Sequence, residues 1–272
     1  SFPTRRSSDL LGWSDTDQTK RDYFEVCEEI CSDENLFSNF KQNPKYTPIL
    51  EHVDYDLGWK YFNIICSDYG NYLLKKIIDL IPAFKRNDLY GNPLKYNYPI
   101  FGDISPTTLR YIKTLMDIIS RGVDLNGKDI VEIGGGYGGQ ALILYSFFPA
   151  IKSYTILDLE SAAKLQTKYM ALHPVTNFVA TSLDAFEERQ YGYDFVMSNY
   201  AFSELKKEMQ DQYLEKIIRN AAYGYFQINP DASQCYNREE LIAILMTLNS
   251  DTLVLPDKPM NEWYPNNFIF SF

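Results

Sequence analysis

The chain predicts an α/β fold, a mostly parallel sheet wrapped by helices on both faces and preceded by a helical lobe. Three observations carry this. The apolar stretch Asp129 to Ile133 runs into the glycine-rich turn 134–139 and then into an apolar helix. From Lys128 onward strand and helix patterns alternate, which implies a parallel sheet with helical crossovers. Residues 14 to 90 read as helices with no strand alternation.

Each element follows in order. Residues 1 to 10 read as the conceptual translation of a sequencing-adapter end and are set aside from fold reasoning. Residues 11 to 100 then form the helical N-terminal lobe or lid, and residues 101 to 272 the nucleotide-binding domain. Within the lobe, Tyr72, Leu73, Ile77, Ile78 and Leu80 make an apolar stripe at helical spacing. Tyr90 to Pro106 holds Pro93, Pro99, Gly91 and Gly102, the composition of a loop or lid. Ser105 before Pro106 starts a helix, with the hydroxyl as cap and proline in the first turn. That helix is expected to reach about Arg121.

Strands are expected at Asp129–Ile133, Tyr154–Leu157, Phe178–Thr181, Asp194–Ser198 and Tyr225–Asn229. Helices fill the gaps: Gln140 to Phe148, Ser161 to Leu172, and a long amphipathic one through Leu205, Met209, Tyr213 and Ile217. Asn237 with Glu240 spells a capping box. Thr252–Leu255 and Asn267–Phe272 are two final strands with no helix pattern between them, so they can pair antiparallel.

Composition limits the function. With 45% apolar and 15% aromatic residues the chain can bury a large core, and a net charge of -10 disfavours a general nucleic-acid or anionic-membrane surface. The 22 tyrosines suit half-buried packing sites or a polar-tipped aromatic wall. Only Cys27 and Cys31 of the four cysteines lie close together and only two histidines are present, so no metal site is expected; the thiols read as reduced and the protein as cytoplasmic. No apolar run has the length of a membrane span.

Ligands in such sheets bind beyond the carboxyl ends of the strands. Residues just after Ile133, Leu157, Thr181, Ser198 and Asn229 therefore stand at the ligand edge, while His173 stands at the opposite edge and reads as structural. Gly134, Gly136 and Gly139 satisfy G-x-G-x-x-G, the dinucleotide fingerprint. Gly134, Gly136 and Gly138 behind Glu132 satisfy E-x-G-x-G-x-G, which resembles motif I of class I methyltransferases, a Rossmann-like family that binds S-adenosylmethionine (SAM). A bare carboxylate at the end of a buried strand costs several kcal/mol without a partner. In the resembled family that partner is the methionine end of SAM. Asp158, at the end of the next strand, can accept both ribose hydroxyl protons and fits either ligand. Ser182 and Asp184 are placed for the adenine amino group, or for a turn. The length after the loop and the final strand pair fit a methyltransferase sheet, parallel with an antiparallel last strand, better than a dehydrogenase with its further domain.

Three blocks occur in order: Ile104-Ser-Pro-Thr-Thr-Leu-Arg-Tyr111, Val131 to Gly139, and Ser198-Asn-Tyr-Ala-Phe-Ser-Glu-Leu205. With Asn43 to Val53 ahead of them, they resemble the sugar O-methyltransferase family of bacteria over roughly residues 35 to 272. The resemblance implies a sugar or glycoside hydroxyl as acceptor, as in polysaccharide biosynthesis. A sugar hydroxyl needs a general base. His52 and Glu204 are the candidates, with Asn199 orienting the acceptor or the SAM amino group. Arg110 is placed to pair with the SAM carboxylate or with a surface acid. Tyr96, Tyr98, Asp103 and Ser203 are candidate acceptor contacts, with loop packing the other reading of the two tyrosines. Magnesium would need a multi-acid spacing that the sequence does not show. A nicotinamide dehydrogenase and a non-catalytic SAM-fold partner subunit are the competing readings.

Overall fold

The structure, a computed structural model, describes residues 17–186, 191–230, 234–248, 251–260 and 265–272. The adapter-like residues 1 to 10 lie outside the described residues.

The helical part contains α1 (Asp17–Ser32), α2 (Glu34–Ser38), α3 (Tyr55–Ser67) and α4 (Asn71–Phe84). Asp33 and Asp54 cap α2 and α3 by accepting backbone amide protons. Next, where the proline and glycine content predicts a loop, the chain forms a small antiparallel hairpin, β1 (Tyr96–Tyr98) with β2 (Gly102–Ile104). Helix α5 (Pro106–Ser120) starts as expected: the Ser105 hydroxyl accepts from the Thr108 amide, and Pro106 opens the first turn.

The second part holds β3 (Asp129–Ile133), α6 (Gly139–Phe147), β4 (Ser153–Leu157), α7 (Glu160–Met170), β5 (Phe178–Thr181), β6 (Phe195–Asn199), α8 (Lys207–Lys216), β7 (Tyr223–Ile228), α9 (Arg238–Met246), β8 (Leu253–Pro256) and β9 (Phe268–Ser271). The capping box at Asn237 and Glu240 is present. The seven-stranded sheet has the order β5-β4-β3-β6-β7-β9-β8. Strands β3 to β7 pair in parallel, and β9 runs antiparallel to both β7 and β8. The α/β class with its antiparallel last strand is thus the one the sequence predicts.

Every residue of β3 is buried because helices cover both faces. On one face Ile130, Tyr154, Ile156, Met197 and Tyr225 join α5, α6 and the N-terminal helices in one continuous apolar cluster. On the other, Val131, Ile133, Val196 and Phe226 pack against Tyr213, Leu214, Leu241 and Leu245. Helix α1 lies along α7 and α3 along α5, and the segment before α3 sets Leu50 against Gly136 at the end of β3. No helix among the described residues is long and apolar enough to cross a membrane.

Candidate active site

The glycine turn leaves β3 at Ile133. The Gly134 amide donates to the Leu157 carbonyl at 2.9 Å, tying the turn to the end of β4. Gly134, Gly136 and Gly138 have φ of 72°, 58° and 97°, the left-handed region that only glycine enters without strain. All three left-handed positions belong to the E-x-G-x-G-x-G reading. Gly139 serves packing instead: a Cβ there would stand 2.5 Å from the Tyr111 ring. At Gly134 a Cβ would stand 2.1 Å from the Ala201 Cβ, so the turn and the loop after β6 touch here. Helix α6 then begins with no side chain capping its amides.

Asp158 stands at the end of β4 as expected. Its carboxylate accepts from the Gly135 amide (3.1 Å), the Leu159 amide (2.8 Å) and Gln166 Nε2 (2.8 Å). Burial raises its carboxyl to about 6, and these donors pull the other way. Gln166 also donates to the Gly136 carbonyl at 2.9 Å, so one side chain braces both the acid and the turn.

Glu132 points into the layer beneath the turn. Tyr154 donates its hydroxyl proton to Glu132 Oε2 at 2.7 Å. Burial raises the Glu132 carboxyl to about 8; the Tyr154 bond opposes this and Asp158 adds to it. The partner that a buried acid demands is therefore supplied by the neighbouring strand.

The loop after β6 has its own order. Asn199 Nδ2 donates to Gln140 Oε1 at 3.3 Å, while its Oδ1 is buried without a partner. Tyr200 holds φ of 70°, a strained value for a non-glycine residue, and its hydroxyl donates to Asp257 Oδ2. Glu204 ends a 3-10 turn, Ala201–Glu204, within 3.5 Å of Asn229 Nδ2, and burial raises its carboxyl to about 7.

Above the turn lies the segment before α3. Leu50 methyls would stand 3.5 and 3.6 Å from a Cβ on Gly136. Arg110 Nη2 donates to the Leu50 carbonyl at 3.4 Å, and its guanidinium faces Tyr111, Tyr61, Tyr200 and Glu51. Among the described residues no carboxylate lies within ion-pair distance of Arg110. Glu51 Oε2 accepts from Thr107 at 3.0 Å, and Oε1 is buried without a partner. His52 meets solvent at this edge; crowding by the surrounding protein and the Arg110 charge hold its imidazole below the ordinary value, so it is neutral at neutral pH.

The structure thus gathers Gly134, Gly136, Gly138, Asp158, Asn199, Glu204, Arg110 and His52 around the strand ends. Other candidates stand elsewhere. Tyr98 is fully buried against Trp59 and Phe62, leaving no ring face for a sugar, because the hairpin folds it inward. Ser203 is also fully buried; its hydroxyl donates to the Tyr200 carbonyl and accepts from the Asn229 amide, which uses it as a loop staple. Asp103 accepts from Asn97 on the exposed side of the hairpin. Tyr96 is half-buried, edge-on to Tyr55 at 5.0 Å. The Ser182 hydroxyl accepts from the Ala185 amide at 3.3 Å, the turn geometry, and Asp184 is exposed beside it. His173 is buried against Tyr90 and Tyr169, at the far edge where the sequence put it. Among the described residues no group of three or more His, Cys, Asp or Glu is arranged to hold a metal ion.

Sequence reasoning missed Lys41, Tyr200 and Asp257. Lys41 is buried, with its ammonium over the rings of Tyr137 (4.2 Å), Tyr169 (4.9 Å) and Phe40 (5.7 Å), and burial lowers it to about 8. It thereby fastens Tyr137 of the glycine turn. Tyr200 sat inside the quoted Ser198–Leu205 block; no sequence signal marked its distant partner.

No family model matches the sequence, and no curated protein matches it. Several solved structures are similar to it. A SAM-dependent methyltransferase from Aquifex aeolicus aligns with 57% of this chain and 85% of its own at 16% identity, with a TM-score of 0.41. Magnesium protoporphyrin IX methyltransferase from Synechocystis, bound to S-adenosylhomocysteine, aligns with 79% of this chain and 93% of its own at 12% identity and a TM-score of 0.45. Phosphoethanolamine N-methyltransferase 2 from Haemonchus contortus aligns over 66% of this chain and 43% of its own at 17% identity and a TM-score of 0.45.

Proposed function

We propose that the chain transfers a methyl group from SAM to a sugar hydroxyl. The observation that carries the donor is the paired loop and acid: three left-handed glycines at the end of β3, with the Gly135 amide on the Asp158 carboxylate at 3.1 Å. The sheet order supports SAM over a dinucleotide. Dinucleotide sheets run 3-2-1-4-5-6. Here antiparallel β9 stands between the fifth and sixth parallel strands.

The residues fit the donor's chemistry. Asp158 suits the ribose hydroxyls, the unpaired Arg110 guanidinium suits a carboxylate, and the orphaned Asn199 Oδ1 suits an ammonium. Gly134 is closed by Ala201, whereas Gly136 meets only the Leu50 methyls at ordinary contact distance and is the position left for close approach. SAM supplies a methyl carbon already activated by its sulfonium. The protein then has to align the acceptor oxygen, exclude water and receive a proton. Glu204, on the loop after β6, and the neutral imidazole of His52, near Arg110, are the candidate bases. Tyr200, half-buried beside Arg110, offers a polar-tipped ring suited to a sugar.

Calorimetry with SAM, S-adenosylhomocysteine and NAD tests the donor: binding of NAD with no response to SAM overturns it. Mass spectrometry of a sugar and glycoside panel incubated with isotope-labelled SAM tests the acceptor. Label on amines or carboxylates alone removes the sugar hydroxyl reading.

A further inference from the structure

Tyr200 also heads a cluster whose other members the roles above do not use. The Tyr200 hydroxyl donates to Asp257 Oδ2. Asp257 Oδ1 lies 3.4 Å from Lys113 Nζ and accepts from the Lys258 amide at 2.8 Å. Lys113, 1% exposed, bridges to Asp117 Oδ2 at 2.8 Å. Asp117 in turn accepts from Tyr69 (2.6 Å) and Tyr225 (2.7 Å). The whole assembly is a buried chain of charges running from α5 to the loop after β6. Tyr200 carries it to the glycine turn, since the next residue, Ala201, meets Gly134; both Tyr200 and Asp257 face Tyr61.

We propose that Tyr200 and Asp257 form the proton path for the acceptor hydroxyl, with Tyr200 as the group that touches the acceptor and Asp257 as the carboxylate behind it. The inference rests on the methyl-transfer reading. Three points support it. The Tyr200 oxygen donates its only proton to Asp257, so its lone pairs are free to accept from an incoming hydroxyl. Donation to a carboxylate makes that oxygen a better acceptor than an isolated phenol. The left-handed backbone at Tyr200 is strain that the Asp257 and Gln227 contacts hold in place, with the Tyr200 amide on the Gln227 carbonyl at 2.9 Å.

The step balances. The acceptor oxygen bonds to the methyl carbon, and the carbon–sulfur pair leaves with sulfur as a neutral thioether. The acceptor's proton passes to the Tyr200 oxygen while the Tyr200 proton passes to Asp257. The hydroxyl becomes strongly acidic only as the new bond forms, so a carboxylate is a sufficient final acceptor. Lys113 faces Asp257 throughout and positions it.

Tyr200 itself faces Arg110 and Tyr61; Glu51, Tyr111 and His52 surround Arg110, and Glu204 ends the same loop four residues on. Glu204 is the rival base. If it takes the proton, the rate falls as pH drops through about 7, where its carboxyl protonates.

The test uses Tyr200→Phe and Asp257→Asn in the full chain, with SAM and a panel of methyl and p-nitrophenyl glycosides as probes. Turnover in each variant is expected to fall on the order of 100- to 1,000-fold, as for loss of a positioned proton acceptor. SAM affinity by calorimetry is expected to stay within about twofold. Asp257→Glu is expected to recover part of the rate. Tyr200→Phe keeps the ring and settles the matter if Asp257→Asn fails to fold. Full turnover in Tyr200→Phe overturns the path, as does a variant that loses SAM affinity and thermal stability together. A rate limb near pH 7 that vanishes in Glu204→Gln, beside an active Tyr200→Phe, gives the proton to Glu204. A wild type that binds SAM but labels no hydroxyl overturns the acceptor reading and the path together. A wild type that does not bind SAM overturns the donor reading itself.

Discussion

Replacing Glu132 by glutamine separates a buried neutral acid from a buried charge. Glu132 is 1% exposed, receives the Tyr154 hydroxyl at 2.7 Å and has its carboxyl raised to about 8. In the unfolded chain a glutamate titrates near 4.3. Between those values the folded state binds more protons than the unfolded state, so stability falls as pH rises through the window. Each pH unit inside it is worth about 1.4 kcal/mol, and the window sets an upper bound of roughly 5 kcal/mol. Relaxation around the acid is expected to leave about 2 to 4 kcal/mol. Glutamine keeps the shape and the Tyr154 bond and has no proton to lose. Urea unfolding of wild type and Glu132→Gln should give similar stabilities near pH 4, below the unfolded value. By pH 8.5 the variant should be the more stable by about 2 to 4 kcal/mol. A wild-type-minus-variant difference that does not change with pH would refute a neutral, tyrosine-held Glu132.

Asp158→Ala is expected to weaken SAM binding by about 10- to 100-fold, the scale of one or two hydrogen bonds to a charged group, and calorimetry reads it. In wild type, SAM affinity should decline as pH drops below about 6, where the Asp158 carboxyl protonates and stops accepting both ribose protons. Gly134→Ala forces a Cβ to 2.1 Å from the Ala201 Cβ at a φ of 72°; a loss of about 2 kcal/mol or more in urea unfolding is expected. Tyr98→Phe removes a buried hydroxyl that has no partner, so thermal unfolding should show no loss of stability and glycoside KM should not change; a raised KM would restore Tyr98 to the acceptor site.

The strand-turn-helix unit at Asp129 to Phe148 was legible because two periodicities meet at glycines that nothing else can replace. The capped starts at Ser105 and Asn237 were legible for a local reason too, since a side-chain oxygen that accepts from the backbone N–H three residues on is written in adjacent letters. The β1–β2 hairpin was not, because two strands of three residues each carry too little alternation to be told from a proline-containing loop. The side chains of Tyr98 and Ser203 were assigned to the site by position in the chain. Whether a ring turns inward to Trp59 or outward to a ligand depends on packing between segments, which no local pattern records. The same holds for the Tyr200–Asp257 pair, whose members are 57 residues apart and join only once β9 is in the sheet.

That last strand also decides what can open. Strand β8 touches the sheet only through β9, which itself is gripped on its other side by β7. Breaking the β7–β9 ladder therefore releases two strands at once. The pair should behave as one cooperative unit in native-state hydrogen exchange, with β8 amides never outlasting those of β9. Asp257 follows β8 directly, so each such opening carries the carboxylate away from Tyr200. On the proposed path, turnover would then be tied to the docked population of a peripheral strand pair, far in sequence from the glycine turn.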